Sequence, residues 1–180
     1  MKKLLTATSV AVVLGLCASN AIADSVDVDS TVEVTATAIS TTVLKQLNFG
    51  SFEITNASAS GTIAIDTSNQ ATANITDGIY NDGHNWGAVK ISGTPGASFN
   101  VTCSSTATLA HESNSGDTMP VTNVFVGGGD CAGTFVKTFP QDGILTQNIT
   151  GNLSFSNPAV GTYSSANAGG VPITVNMVYQ

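Results

Sequence analysis

Alternation of apolar and polar side chains is the clearest pattern in this chain, and it is strongest near the two ends. The last ten residues, Val171-Pro172-Ile173-Thr174-Val175-Asn176-Met177-Val178-Tyr179-Gln180, carry an apolar side chain at every odd position up to Tyr179. That is the period of a strand with one buried face. Far upstream, Val26, Val28, Val32, Val34, Ala36 and Ala38 occupy even positions, while Asp27, Asp29, Thr31, Glu33, Thr35 and Thr37 occupy odd ones. A second one-faced strand is expected over residues 26–38, longer than the usual five or six residues.

The interior breaks into short runs of the same kind. Residues 62–65 alternate, 66–69 read as a turn and 71–75 as a return strand, so a hairpin is predicted there. Val43, Leu44, Leu47, Phe49 and Phe52 form an apolar cluster ahead of it. Further strands are expected over 86–92, 98–103, 119–126, 134–139 and 144–149, and Leu153 and Phe155 mark one more short strand. Polar loops are expected over 81–85 and 111–118. Phe99, Val101 and Cys103 share one parity, which points the cysteine inward. Beyond residue 23 no segment of twelve or more residues keeps a helical apolar period, and glycine or proline punctuates nearly every run. The fold class is all-β, and the turn spacing fits a sandwich or a barrel. One-faced terminal strands and unequal loops favour an immunoglobulin-like sandwich, with a jelly roll still open.

Met1-Lys2-Lys3, the apolar run from Leu4 to Leu16 and the small-residue site Ala21-Ile22-Ala23 read as a secretory signal peptide over residues 1–23. Cys17 follows Leu16, where lipid attachment uses a small residue, so a lipid anchor is not expected. The organisation predicted is a signal over 1–23, an N-terminal extension over 24–39 and one sandwich domain over 40–180. No later stretch has the roughly 18 unbroken apolar residues of a membrane helix. An even pair of cysteines, Cys103 and Cys131, then remains in an exported chain and is expected to form a disulfide.

Charge narrows the function classes. Charged residues make up 9% of the chain, there is no arginine, and the net charge is −7, which argues against nucleic-acid binding. His84 and His111, with Asp82, Glu112 or Asp117 nearby, are the residues from which a metal or acid–base site would be built. They show no ligand spacing and no third catalytic partner, so surface-loop roles are expected. The region after the signal contains no Gly-x-Ser-x-Gly elbow. No enzyme activity, metal or cofactor is predicted. Tyr80 and Trp86 flank the 81–85 loop, where aromatic rings serve either as a sugar platform or, as expected here, as core.

Four stretches resemble known proteins: Leu47-Asn48-Phe49-Gly50, the run from Gly93-Thr94-Pro95-Gly96 through Ala97-Ser98-Phe99-Asn100-Val101, Gly161-Thr162-Tyr163, and Val175-Asn176-Met177-Val178-Tyr179. In this order, and with the Val178-Tyr179-Gln180 ending, they are similar to chaperone–usher pilin (fimbrial) subunits. They resemble still more closely a family of exported bacterial β-sandwich proteins described as a domain of unknown function. The resemblance implies an incomplete sandwich that lacks one strand. The groove so left is filled first by a periplasmic chaperone, delivered to an outer-membrane usher, and then by the N-terminal donor strand of another copy or a related subunit. It assigns Val26, Val28, Val32, Val34, Ala36 and Ala38 to the donor strand. Ile173, Val175, Met177 and Tyr179 become the groove's bordering strand, with Gln180 bearing the carboxylate a chaperone anchors. The implied function is a fibre subunit for adhesion or biofilm formation, exported through the periplasm to the cell surface. The alternative is a self-complete periplasmic or surface sandwich that binds a glycan or protein through its loops. In the better-known pilins the disulfide lies near the start of the fold; here the cysteine pair lies in the middle.

Overall fold

Short β-branched runs separated by glycine, proline and Asx turns leave the chain little option but strands, and the computed structural model, which describes residues 37–180, contains strands and no helix over that span. In chain order they are β1 (Ser40–Lys45), β2 (Ser51–Ile54), β3 (Ser60–Ile65), β4 (Ala71–Thr76), β5 (Gly78–Asp82), β6 (Gly87–Ser92) and β7 (Ser98–Cys103). There follow β8 (Ala107–His111), β9 (Thr118–Val126), β10 (Gly129–Asp130), β11 (Phe135–Thr138), β12 (Ile144–Ser156), β13 (Tyr163–Ser164) and β14 (Val175–Tyr179).

These strands make a sandwich-like, wholly antiparallel arrangement. The large sheet runs β1-β6-β12-β9-β8-β13, with β3 also on β12, β4 on β3 and β10 on β9. The other sheets are β11-β7-β14 and β2-β5. Phe99 and Val101 of β7 belong to one buried cluster with Ile63, Ile91, Val121 and Leu153 of the large sheet, and Phe52 of β2 stacks on Phe155 of β12 at 4.2 Å. Each such side chain, fully buried, contributes roughly 1.5–3 kcal/mol, and that common core holds the sheets together.

The predicted hairpin is β3–β4, with Ile65 paired to Ala71 across the turn. Asp66 Oδ1 accepts the Ser68 and Gln70 amides at 2.8 and 2.9 Å, the side-chain bonding that makes Asp a turn residue. Cys103 and Cys131 form a disulfide with their Cα atoms 4.9 Å apart. It ties the end of β7 to the segment whose Cys131 amide donates to Val124 of β9.

Three expectations are corrected. The runs at 144–149 and 153–155 are one strand, β12, because Gly151 continues the ladder: it pairs with Ile65, and a Cβ there would lie 3.2 Å from Val121 Cγ1. Residues 81 and 82, read as loop, close β5, where Ser51 pairs with Asp82. His111, read as a surface-loop residue, ends β8 and is buried, because both ring nitrogens find partners: Nδ1 accepts the Ser113 amide at 3.1 Å and Nε2 faces the Val160 carbonyl at 3.1 Å.

Candidate functional site: an apolar groove beside the last strand

The alternation of the C-terminal segment is realised in space. Ile173, Val175, Met177 and Tyr179 are half-buried and packed against the core, while Thr174, Asn176 and Val178 face outward. Val175 to Tyr179 pair antiparallel with Cys103 to Phe99 of β7. β14 is the end of its sheet, and its other edge has no strand partner among the described residues. An edge with free N–H and C=O groups is a template for another strand.

Beside that edge lies a cavity of about 350 Å³, lined by Val43 of β1, Leu47 and Phe49 after it, and Ile173, Val175 and Met177 on the opposite side. Val89, Leu109, Val121 and Ile149 of the large sheet complete the apolar lining, and Lys45 is its one charged member. A second cavity, about 630 Å³, continues from it past β2 and the 158–165 segment. The two share Gln46, Leu47, Phe49, Leu109 and Ser165. The opposite wall is itself an edge, since β1 pairs with β6 and with no other strand among the described residues, and Val43 is 64% exposed. What the arrangement offers chemically is an apolar trough flanked by two strand edges unpaired among the described residues, suited to an extended segment with apolar side chains on one face.

Of the predicted groove residues, the structure brings Ile173, Val175 and Met177 together on the cavity. Tyr179 stands apart at the end of β14. Its hydroxyl accepts the Thr94 amide at 2.7 Å and donates to the Thr37 carbonyl at 2.6 Å, and its ring lies 6.2 Å from that of Phe139. It therefore anchors the first described residue to the 93–96 turn. Gln180 is exposed, with its amide on Asn100 Oδ1 at 3.2 Å. Of the predicted donor residues, Val26, Val28, Val32, Val34 and Ala36 lie outside the described residues, as does the signal segment, while Ala38 is exposed and precedes β1. The wall formed by Val43, Leu47 and Phe49 was visible in sequence only as an apolar cluster. Nothing local says that it faces the C-terminus.

The polar candidates serve the scaffold. His84 Nδ1 contacts the Asp82 carboxylate and Nε2 faces the Asn69 carbonyl at 2.9 Å. The Asn69 carbonyl, then Asp82, hold the ring's pKa above the ordinary histidine value, and the His84 contact lowers that of Asp82. Asp117 Oδ2 accepts from the Tyr163 hydroxyl at 2.6 Å and from the Ala159 amide at 2.9 Å. Burial first, and Asp117 second, push the Tyr163 phenol upward, while that hydrogen bond keeps Asp117 low. Gly161 lies under His111, where any Cβ would collide with the ring. No group of three His, Cys, Asp or Glu side chains is placed to hold a metal ion among the described residues. Tyr80 donates to the Phe49 carbonyl at 3.0 Å, and Trp86 is half-buried against the core, so both rings are engaged in packing.

No curated protein and no solved structure matches the chain. A family model described as a domain of unknown function, DUF4402, matches residues 37–177, a span that begins at the Tyr179-bound Thr37 and ends at Met177 in the groove. The chain belongs to the DUF4402 family of unknown function.

Proposed function

We propose that this protein is a structural subunit of a bacterial surface fibre, polymerised by strand exchange between copies. In this reading the sandwich is incomplete. The groove beside β14 receives the valine-bearing extension, residues 24–39, of a neighbouring copy, after a periplasmic chaperone has held it open and an outer-membrane usher has taken it over. The observation that carries the reading is the match of periods. The groove presents Ile173, Val175 and Met177 at every second position next to an edge unpaired among the described residues, and the extension offers Val26, Val28, Val32 and Val34 on the same parity, with the small Ser30 between the two pairs. Backbone hydrogen bonds would supply affinity and the apolar side chains register.

The test is to export full-length chains bearing Val28→Asp, Val32→Asp or Val34→Asp and to inspect the cell surface by electron microscopy. Loss of fibres with normal export of the folded subunit is expected. Fibres of parental length from all three variants would sink the proposal.

A further inference from the structure

One charged side chain, Lys45, lines the groove beside β14. It follows Thr41 and Val43 on the β1 wall, facing Ile173, Val175 and Met177 across the trough. Lys45 is exposed and has no ion-pair partner among the described residues. The other two lysines of the domain are turned elsewhere. Lys137 Nζ donates to the Gly127 carbonyl at 3.0 Å, and Lys90 stands opposite Thr42, on the alternate positions of β1 from those that line the groove. The extension over residues 24–39 has the opposite character: Asp24, Asp27, Asp29 and Glu33, with no Lys or Arg. The strand registers place Lys45 along the groove. Ser40 opposes Ser92 and Lys45 opposes Ala88 on β6, while Tyr179 opposes Phe99 and Val175 opposes Cys103 on β7. Because the 93–97 turn joins β6 to β7, Ser40 and Tyr179 mark one end of the groove, and Lys45 and Val175 the other. Thr37, where the extension leaves the domain, is held at the Tyr179 end by the Tyr179 hydroxyl.

That point of departure decides how an extension can enter a neighbouring copy. Entry parallel to β14 would set the donor's Tyr179 end against the acceptor's Tyr179 end, and two copies would close on each other as a dimer. Entry antiparallel to β14 sets the donor's Tyr179 end at the acceptor's Lys45 end, and it repeats from copy to copy without closing, as a fibre requires. The part of the extension nearest the donor domain then lies beside Lys45. Glu33 is the acidic residue in that part, and Asp29 and Asp27 lie about 13 and 20 Å further along an extended chain. We propose that Lys45 of the acceptor pairs with Glu33 of the donor and so sets the register of the inserted strand, an inference that rests on the strand-exchange reading. The pair needs no buried charge. Glu33 faces outward when Val32 and Val34 face in, and a lysine stem lies along an apolar wall while its ammonium stays at the rim. A slip of one residue would turn the valines out of the groove. A slip of two keeps them inward, but it moves Glu33 about 7 Å along the groove, and the charge pair is what such a slip breaks.

The experiment uses the exported full-length chain carrying Val32→Asp as acceptor, so that its own extension does not compete, and a labelled synthetic peptide of residues 24–37 as probe, followed by fluorescence anisotropy at low salt. Adding Lys45→Glu to the acceptor should weaken the parental peptide about fivefold, the scale of an exposed pair. A Glu33→Lys peptide should bind that variant within twofold of the parental combination, an Asp29→Lys peptide should not, and the differences should fade at about 1 M salt. Affinities that ignore all these charges would overturn the pairing while strand exchange stands, and would leave Lys45 as an edge-strand lysine that only repels stray strands. Rescue by Asp29→Lys in place of Glu33→Lys would overturn the assigned partner and register. A peptide that binds no acceptor would overturn both the pairing and the strand-exchange reading.

Discussion

If an extended segment fills the groove, its affinity must depend on the side chains that line it and not on those one position away. Ile173→Ala removes three carbons and Met177→Ala a comparable volume, worth roughly 2–2.5 kcal/mol each at about 0.8 kcal/mol per buried methylene. Both side chains are half-buried within the described domain, so about half of that, roughly 1 kcal/mol each, is the share gained when a donor segment covers them. The two residues stand four apart along the strand, about 13 Å, far enough for their effects to add. The double variant should therefore bind a donor segment about 2 kcal/mol more weakly, which is close to thirtyfold in dissociation constant. The assay is fluorescence anisotropy of a labelled peptide covering residues 24–37 against a chain that starts at Thr37. The internal comparison is Val178→Ala, which truncates a side chain 66% exposed on the opposite face of the same strand and should leave affinity within twofold. If the double variant also stays within twofold, or if Val178→Ala weakens binding as much, the groove is not where the peptide goes.

Other outcomes follow from the scaffold. Replacing Cys103 and Cys131 by alanine opens a loop with a sequence separation of 28; the chain-entropy estimate of about 3.5 kcal/mol corresponds to a thermal midpoint lower by roughly 10 °C, readable by circular dichroism. Gly161→Ala should cost about 1–3 kcal/mol, because the added methyl displaces the buried His111 ring from the Val160 carbonyl; a midpoint within 1 °C of the parent, in the same melting assay, would contradict this. The His84 ring meets acceptors at both nitrogens, and its folded pKa is raised. The stability it contributes is therefore fully present below the unfolded value near 6.5 and is lost as pH rises through the higher folded value. Melting curves of the parent and His84→Gln should differ at pH 5.5 and converge on the alkaline side of neutrality; a gap that widens with pH has the wrong sign.

Much of the fold is written locally. The β3–β4 hairpin follows from Ile63 and Ile65 alternating up to an Asx turn, and the inward parity of Phe99, Val101 and Cys103 is the buried pattern of β7. β8 was not legible because Ala107, Ala110 and His111 are all buried, which breaks the period of two, and alanine has little strand preference of its own. β12 was divided in two because Gly151 and Asn152 resemble a turn when seen without the neighbours that keep them in the ladder. One wall of the groove was legible in the odd positions 173–177. The other was not, because whether Val43 faces Met177 depends on which strands share a sheet, a matter of long-range register that no short window contains.

The long strand β12 also sets when the molecule can take shape. It pairs with β3, β6 and β9 at once, so the centre of the large sheet is missing until residues 144–156 have been made. Translation supplies β3, β6 and β9 first and leaves their edges bare. Pairings so distant in sequence carry a high loop-closure cost and form slowly. A nascent chain stopped just short of Ile144 is thus a set of unmatched edges, more prone to join other chains than to join itself. The presence of one central strand divides an aggregation-prone polymer from a folded protein, and purified chains truncated after residue 143 and after residue 160 should differ sharply in protease resistance.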